Sequence, residues 1–188
     1  MNIPNSLTLL RILLLPVFIA VFYLPFKWHY QLAAFFFTLA AVTDLLDGYL
    51  ARRLGQISNL GAFLDPVADK LMVAIVLVLL VQEHPSIWLT LPAAVIIGRE
   101  VTVSALREWM AELGARRKVA VSFIGKFKTV TQMIALILLI YHDDMFNLPV
   151  YAIGMVSLYI AALLTLWSMG QYLYIAWPEL TDRKNISS

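Results

Sequence analysis

Thr43 to Lys70 reads TDLLDGYLARRLGQISNLGAFLDPVADK, a charged interval between two long apolar runs. It carries four aspartates: Asp44 and Asp47, three apart, then Asp65 and Asp69, four apart. At about 100° per residue, either spacing puts both members of a pair on one face of a helix, roughly one turn apart. The loop between them reverses the chain, so the two pairs can meet across a helix hairpin. Pro66 suits a first helical turn, which would set Asp69 near a helix N-terminus and make Asp65 a cap or a kink.

The surroundings of this interval define the fold class. Of 188 residues, 61% are hydrophobic and 14% charged, against roughly 25% charged in soluble domains. The composition is that of an all-α integral membrane protein. Apolar runs near the length of about 20 residues that crosses a bilayer predict spans over residues 3–26, 30–50, 61–82, 87–106, 119–141 and 148–173. These six spans form a single membrane domain over residues 1–188, with no repeat or low-complexity segment. No basic region precedes the first apolar run, so that segment is expected to stay rather than be removed as a signal peptide.

Lysine and arginine set the orientation. With six spans both termini share a side, and that side also holds Arg52, Arg53, Arg107, Arg116, Arg117, Lys118, Arg183 and Lys184, against Lys27 on the other. Both termini are therefore expected in the cytoplasm, with His29, His84 and His142 in external loops. The charges inside the predicted spans, Arg11, Asp44, Asp47, Asp65, Asp69, Lys70, Arg99, Glu100, Lys126 and Lys128, all fall in the cytoplasmic half. An ionised group near mid-bilayer costs about 2.5–3.5 kcal/mol on insertion scales, so such residues normally face a bundle interior or water. One polar cavity on the cytoplasmic side accounts for all of them.

Four carboxylates in one place cannot all stay ionised without cations. Oxygen-only ligands suit Mg²⁺, Mn²⁺ or Ca²⁺ rather than zinc or copper, and two such ions would neutralise them. Gly48, beside Asp47, and Ala51, one turn on, let a bulky ligand approach the backbone, and Gly61 sits similarly before Asp65. Arg99, Arg107, Lys126 and Lys128, on the cytoplasmic portions of the fourth and fifth helices, are candidates for binding a phosphate opposite the acids. Competing readings are an ion pair of Arg99 with Glu100 or Glu108, and snorkelling of Lys128. Asn5, Thr8 and Arg11 recur every three residues and share a polar stripe on the first helix. A net charge of +2 argues against a nucleic-acid partner. The chain has no cysteine, P-loop or H-E-x-x-H motif, and direct displacement is more economical than a covalent intermediate.

Asp44, Asp47, Gly48, Ala51, Arg52, Gly61, Asp65 and Asp69 fall on every fixed position of D-x2-D-G-x2-A-R-x8-G-x3-D-x3-D, and the chain thereby resembles the CDP-alcohol phosphatidyltransferases. The segments IPNSLTLLRI, GAFLDPVADKLMVA, GREVTVSALREWMAELG and LTLWSMGQYL resemble the bacterial members that join CDP-diacylglycerol to glycerol 3-phosphate, releasing CMP. The resemblance implies two divalent ions, Mg²⁺ or Mn²⁺, on the four aspartates, with Asp69 also serving as general base. It sets Gly48, Ala51, Arg52 and Gly61, with Asn5 and Thr8, around the CDP group. It further implies a homodimer in the bacterial inner membrane, with the active site open to the cytoplasm and to lipid. The alternatives are a sibling enzyme that uses serine or inositol phosphate and, from another class, a divalent-cation transporter.

Overall fold

The computed structural model describes residues 3–54, 59–112, 123–144 and 148–181. They form six α-helices: α1 Ile3–Tyr23, α2 His29–Leu54, α3 Asn59–Glu83, α4 Ile87–Glu112, α5 Phe123–Tyr141 and α6 Val150–Thr181. Local chemistry explains the boundaries. Pro25 follows closely on the end of α1, and His84 and Pro85 close α3, because the residue before a proline avoids the helical region. Ser86 caps α4, its Oγ accepting the Trp88 N–H at 3.3 Å. α5 ends on His142, which takes a left-handed φ of 61° and donates its N–H to the Leu138 carbonyl at 3.1 Å, a closure usually left to glycine.

Two expectations are corrected. α2, α4 and α6 run past their predicted limits to Leu54, Glu112 and Thr181, because a helix need not stop where the apolar run that crosses lipid ends. Pro66 does not open the third helix: α3 starts at Asn59 and encloses it. The missing proline N–H costs a single helical hydrogen bond, and Asp65 and Asp69 remain one turn apart on a continuous helix.

α1 packs on α2 and α3, α3 also meets α4 and α5, and α6 lies against α4 and α5, while α2 touches α5. Phe18, Phe37, Val76, Leu77, Leu80, Ile96, Leu136, Leu139 and Leu158 are buried between them. Small residues allow the closest approach: a Cβ added at Gly154 on α6 would stand 3.0 Å from Leu139 Cγ on α5, and Ala135 and Ala161 are fully buried. Leu13, Phe35, Val78, Val101, Leu163 and Trp167 point outward, the apolar exterior that lipid requires. Hydroxyls of Thr38, Thr43, Thr102 and Thr131 donate back to carbonyls of their own helices, so none of these donors is left for hydrocarbon to satisfy. Among the described residues two helices, α4 and α6 over Val150–Trp177, are long and apolar enough to cross a membrane, with only 33% of each apolar window buried within the protein.

Consecutive helices run in opposite directions, which gathers the histidines at one end of the bundle. The rings of His84 and His142 stack at 4.7 Å with 8° between their planes, and Tyr151 meets both edge-on. Tyr30 donates to Glu83 at 2.5 Å, and Gln31 bonds Asp143. Burial, with a smaller contribution from His142, holds the His84 pKa below its ordinary 6.5, against the pull of Glu83. The unfolded chain therefore takes the proton first as pH falls below about 6.5, so the folded state loses stability in that direction and keeps it above. The expected result is a larger drop in apparent Tm between neutral and mildly acidic pH for the wild type than for His84→Gln in detergent. Equal drops would show that this histidine does not contribute.

Candidate active site

The opposite end of the bundle holds the charges. α1 presents Thr8 and Arg11 one turn apart toward α3, which presents Asp65 and Asp69 one turn apart in return. The Thr8 hydroxyl donates to Asp65 Oδ1 at 2.7 Å, and Arg11 Nη1 donates to Asp69 Oδ1 at 2.7 Å. The same nitrogen reaches Asp44 Oδ1 on α2 at 2.6 Å. One guanidinium thus ties three helices together at the acids. The Arg11 side chain is 0% exposed, whereas those of Asp44 and Asp69 are 28% and 42% exposed. The cation is the buried floor, and the carboxylates stand above it.

This arrangement bears on metal binding. Every donor is an oxygen, the set preferred by Mg²⁺ and Mn²⁺. Among the described residues no three acidic or histidine side chains converge on one point suited to a metal; Arg11 stands between Asp44 and Asp69. Two of these carboxylates, Asp44 and Asp69, share Arg11 Nη1 as their cationic partner. The residues fit a divalent ion in donor chemistry.

A second cluster faces the first. Lys128 on α5 donates to Glu100 Oε1 at 2.7 Å, and Arg99 on α4 reaches the same oxygen at 3.0 Å. Arg99 also donates to Ser168 Oγ on α6 at 2.9 Å. The Arg99 and Arg107 guanidinium carbons stand 5.9 and 5.5 Å from the centre of the Tyr172 ring, within cation–π range. Lys128 is 3% exposed, so it is a paired interior cation rather than a snorkelling one. Asp44, Asp65 and Asp69 on one side, with Arg99, Arg107 and Lys128 on the other, line a single cavity of about 360 Å³.

Gly61 is buried at the start of α3. The side-chain positions of Asn5, Asp47, Ala51, Arg52 and Lys126, and the surroundings of Gly48, lie outside the described residues. Glu100, read from the sequence as one of the cavity charges and as a partner for Arg99, bridges both Arg99 and Lys128. Three neighbouring side chains were not singled out in the sequence. Ser168 and Tyr172 are four apart on α6, and Gln132 follows Lys128 by four on α5; that spacing was a signal, masked by the apolar residues around it.

The chain is thus a helical bundle with an apolar exterior and an inner cavity lined by acids and bases. The sequence comparisons give its family. The family model for CDP-alcohol phosphatidyltransferase matches residues 1–167, and the chain belongs to that family, whose members are enzymes that use divalent metal ions. The chain is 60% identical over 189 residues to a CDP-diacylglycerol–glycerol-3-phosphate 3-phosphatidyltransferase of Pseudomonas fluorescens, covering 99% of this chain and 96% of the relative. Proteins of the same name from Sodalis glossinidius and Salmonella typhimurium are 56% and 54% identical, each over 97% of this chain and 98% of the relative.

Proposed function

We propose that the protein transfers the phosphatidyl group of CDP-diacylglycerol to glycerol 3-phosphate, giving phosphatidylglycerophosphate and CMP. The observation that carries this reading is the single cavity that Asp44, Asp65 and Asp69 line together with Arg99, Arg107 and Lys128, in a chain 60% identical across its length to a relative named for that reaction. The acids suit the diphosphate end of the lipid substrate, and the bases suit the phosphate of the acceptor.

Asp44, Asp47, Asp65 and Asp69 would hold two divalent ions, Mg²⁺ or Mn²⁺, which when bound supply charge neutralisation to the diphosphate and the departing CMP. Thr8 and Arg11 orient Asp65, Asp69 and Asp44 toward the cavity. Asp69, the more exposed of the two acids on Arg11, accepts the proton of the acceptor's primary hydroxyl. That proton leaves late, as the hydroxyl oxygen bonds to the lipid-side phosphorus, and the bond from phosphorus to the CMP oxygen breaks with its electron pair leaving on CMP. Arg99, Arg107 and Lys128, with Lys126, hold the acceptor's phosphate by charge-assisted hydrogen bonds. Asn5, Gly48, Ala51, Arg52 and Gly61, with Thr8, surround the CDP group.

All six helices span the bacterial inner membrane as one domain over residues 1–188, with both termini and the cavity mouth on the cytoplasmic side. Soluble acceptor and CMP then exchange with the cytoplasm while the acyl chains stay in lipid. A homodimer is the assembly that the family resemblance assigns.

The test is purified protein in micelles with CDP-diacylglycerol, Mg²⁺ or Mn²⁺, and glycerol 3-phosphate, serine or inositol phosphate as acceptor. CMP release that depends on glycerol 3-phosphate is expected. A preference for another acceptor overturns the substrate, and metal uptake into proteoliposomes without CMP release overturns the enzyme.

A further inference from the structure

Two buried polar atoms of this cavity lack a hydrogen-bond partner within the protein, and they are of opposite kinds. Gln132 Oε1 is an acceptor without a donor, and Arg99 Nε is a donor without an acceptor. Gln132 is 4% exposed, and both residues line the cavity that holds Asp69 and Lys128. Buried polar groups are normally satisfied, so such a pair marks where a ligand supplies the missing groups. The ligand must offer a hydroxyl hydrogen to one atom and a lone pair to the other. A hydroxylated phosphate has both.

We infer that Gln132 reads the secondary hydroxyl of the acceptor, its side-chain carbonyl accepting a hydrogen bond from that hydroxyl while Arg99 and Lys128 hold the phosphate. The inference rests on the glycerol 3-phosphate reading above. Gln132 lies one turn beyond Lys128 on the same face of α5, deeper in the bundle. In glycerol 3-phosphate the secondary hydroxyl lies between the phosphate and the primary hydroxyl that attacks. A phosphate at Lys128 and a reacting hydroxyl at Asp69 leave the middle of the acceptor to Gln132. A site built to bond a hydroxyl discriminates strongly against an analogue that lacks it, since the site's own polar group is then left unpaired.

The test compares kcat/KM for glycerol 3-phosphate with that for 3-hydroxypropyl phosphate, which keeps the phosphate and primary hydroxyl but has no secondary hydroxyl. The wild type is expected to prefer glycerol 3-phosphate on the order of 10- to 100-fold. In Gln132→Met, close in length but without the carbonyl, that preference should shrink to within about threefold. Gln132→Asn keeps an amide but withdraws it by a methylene, and should lose the preference too, which covers the case in which the methionine variant fails to fold. A merely structural role, or a carbonyl bonded only to water, would lower both acceptors together and leave the ratio unchanged; that result overturns the inference. Absence of wild-type activity with glycerol 3-phosphate would instead defeat the functional reading on which it rests.

Discussion

Asp69→Asn is expected to lower kcat by at least about 10³-fold while leaving the fold intact. A positioned general base contributes about 10²–10⁴-fold, and the same change removes one negative charge from the acids proposed to hold the divalent ions. Asparagine keeps the shape of the side chain and an oxygen that can still accept from Arg11 Nη1, now at 2.7 Å from the aspartate. Its apparent Tm should therefore fall by only a few degrees. The loss should appear in kcat at saturating substrate, because the residues proposed for the acceptor's phosphate, Arg99, Arg107 and Lys128, are other members of the cavity lining and stay unchanged. Near-normal turnover in Asp69→Asn would remove Asp69 from the role of base.

Arg11→Met is expected to make stability depend on divalent metal. In the wild type, the buried guanidinium sits between Asp44 and Asp69 at 2.6 and 2.7 Å. Removing one partner of a buried ion pair costs about 3–5 kcal/mol, chiefly through the charge left behind. Here the carboxylates are 28% and 42% exposed, and partial hydration brings the expected loss to about 2–3 kcal/mol. Methionine fills much of the vacated volume, so the deficit is one of charge more than of packing. A divalent ion that binds only the folded protein stabilises it by mass action. Millimolar Mg²⁺ should thus raise the apparent Tm of Arg11→Met, measured against a chelator, more than that of the wild type. Equal metal shifts in the two proteins would show that Arg11 and the metal do not share the acids.

Much of the acid wall was legible because it depends on spacing along single helices. Asp65 and Asp69 must share a face wherever α3 runs, and even the misjudged position of Pro66 did not separate them. Thr8 and Arg11 were likewise readable as one stripe on α1. The three predicted external histidines lie at the bundle end away from the acids, where His84 stacks on His142, as an alternating chain direction requires. Helix limits were less legible, since hydropathy reports where lipid ends and backbone hydrogen bonding continues beyond it in α2 and α4.

The base wall was readable only as a set of charges. Whether Lys128 reached outward or inward, and whether Arg99 had a partner other than Glu100, depends on how α4, α5 and α6 approach one another; their contacts include Lys128 with Glu100 and Arg99 with Ser168. Arg11 likewise read only as one charge of the cavity and one member of a polar stripe, with no named partner, until α2 and α3 closed on it from two sides. The amino-acid order was thus sufficient for the helical class, the apolar exterior and the shared face of Asp65 and Asp69, because those follow from hydropathy and a 3.6-residue period. Which cation neutralises which carboxylate, and which buried atoms are left for a ligand, arose only when separate helices packed. Charge pairing and desolvation depend on distances across the bundle that no spacing along one helix encodes.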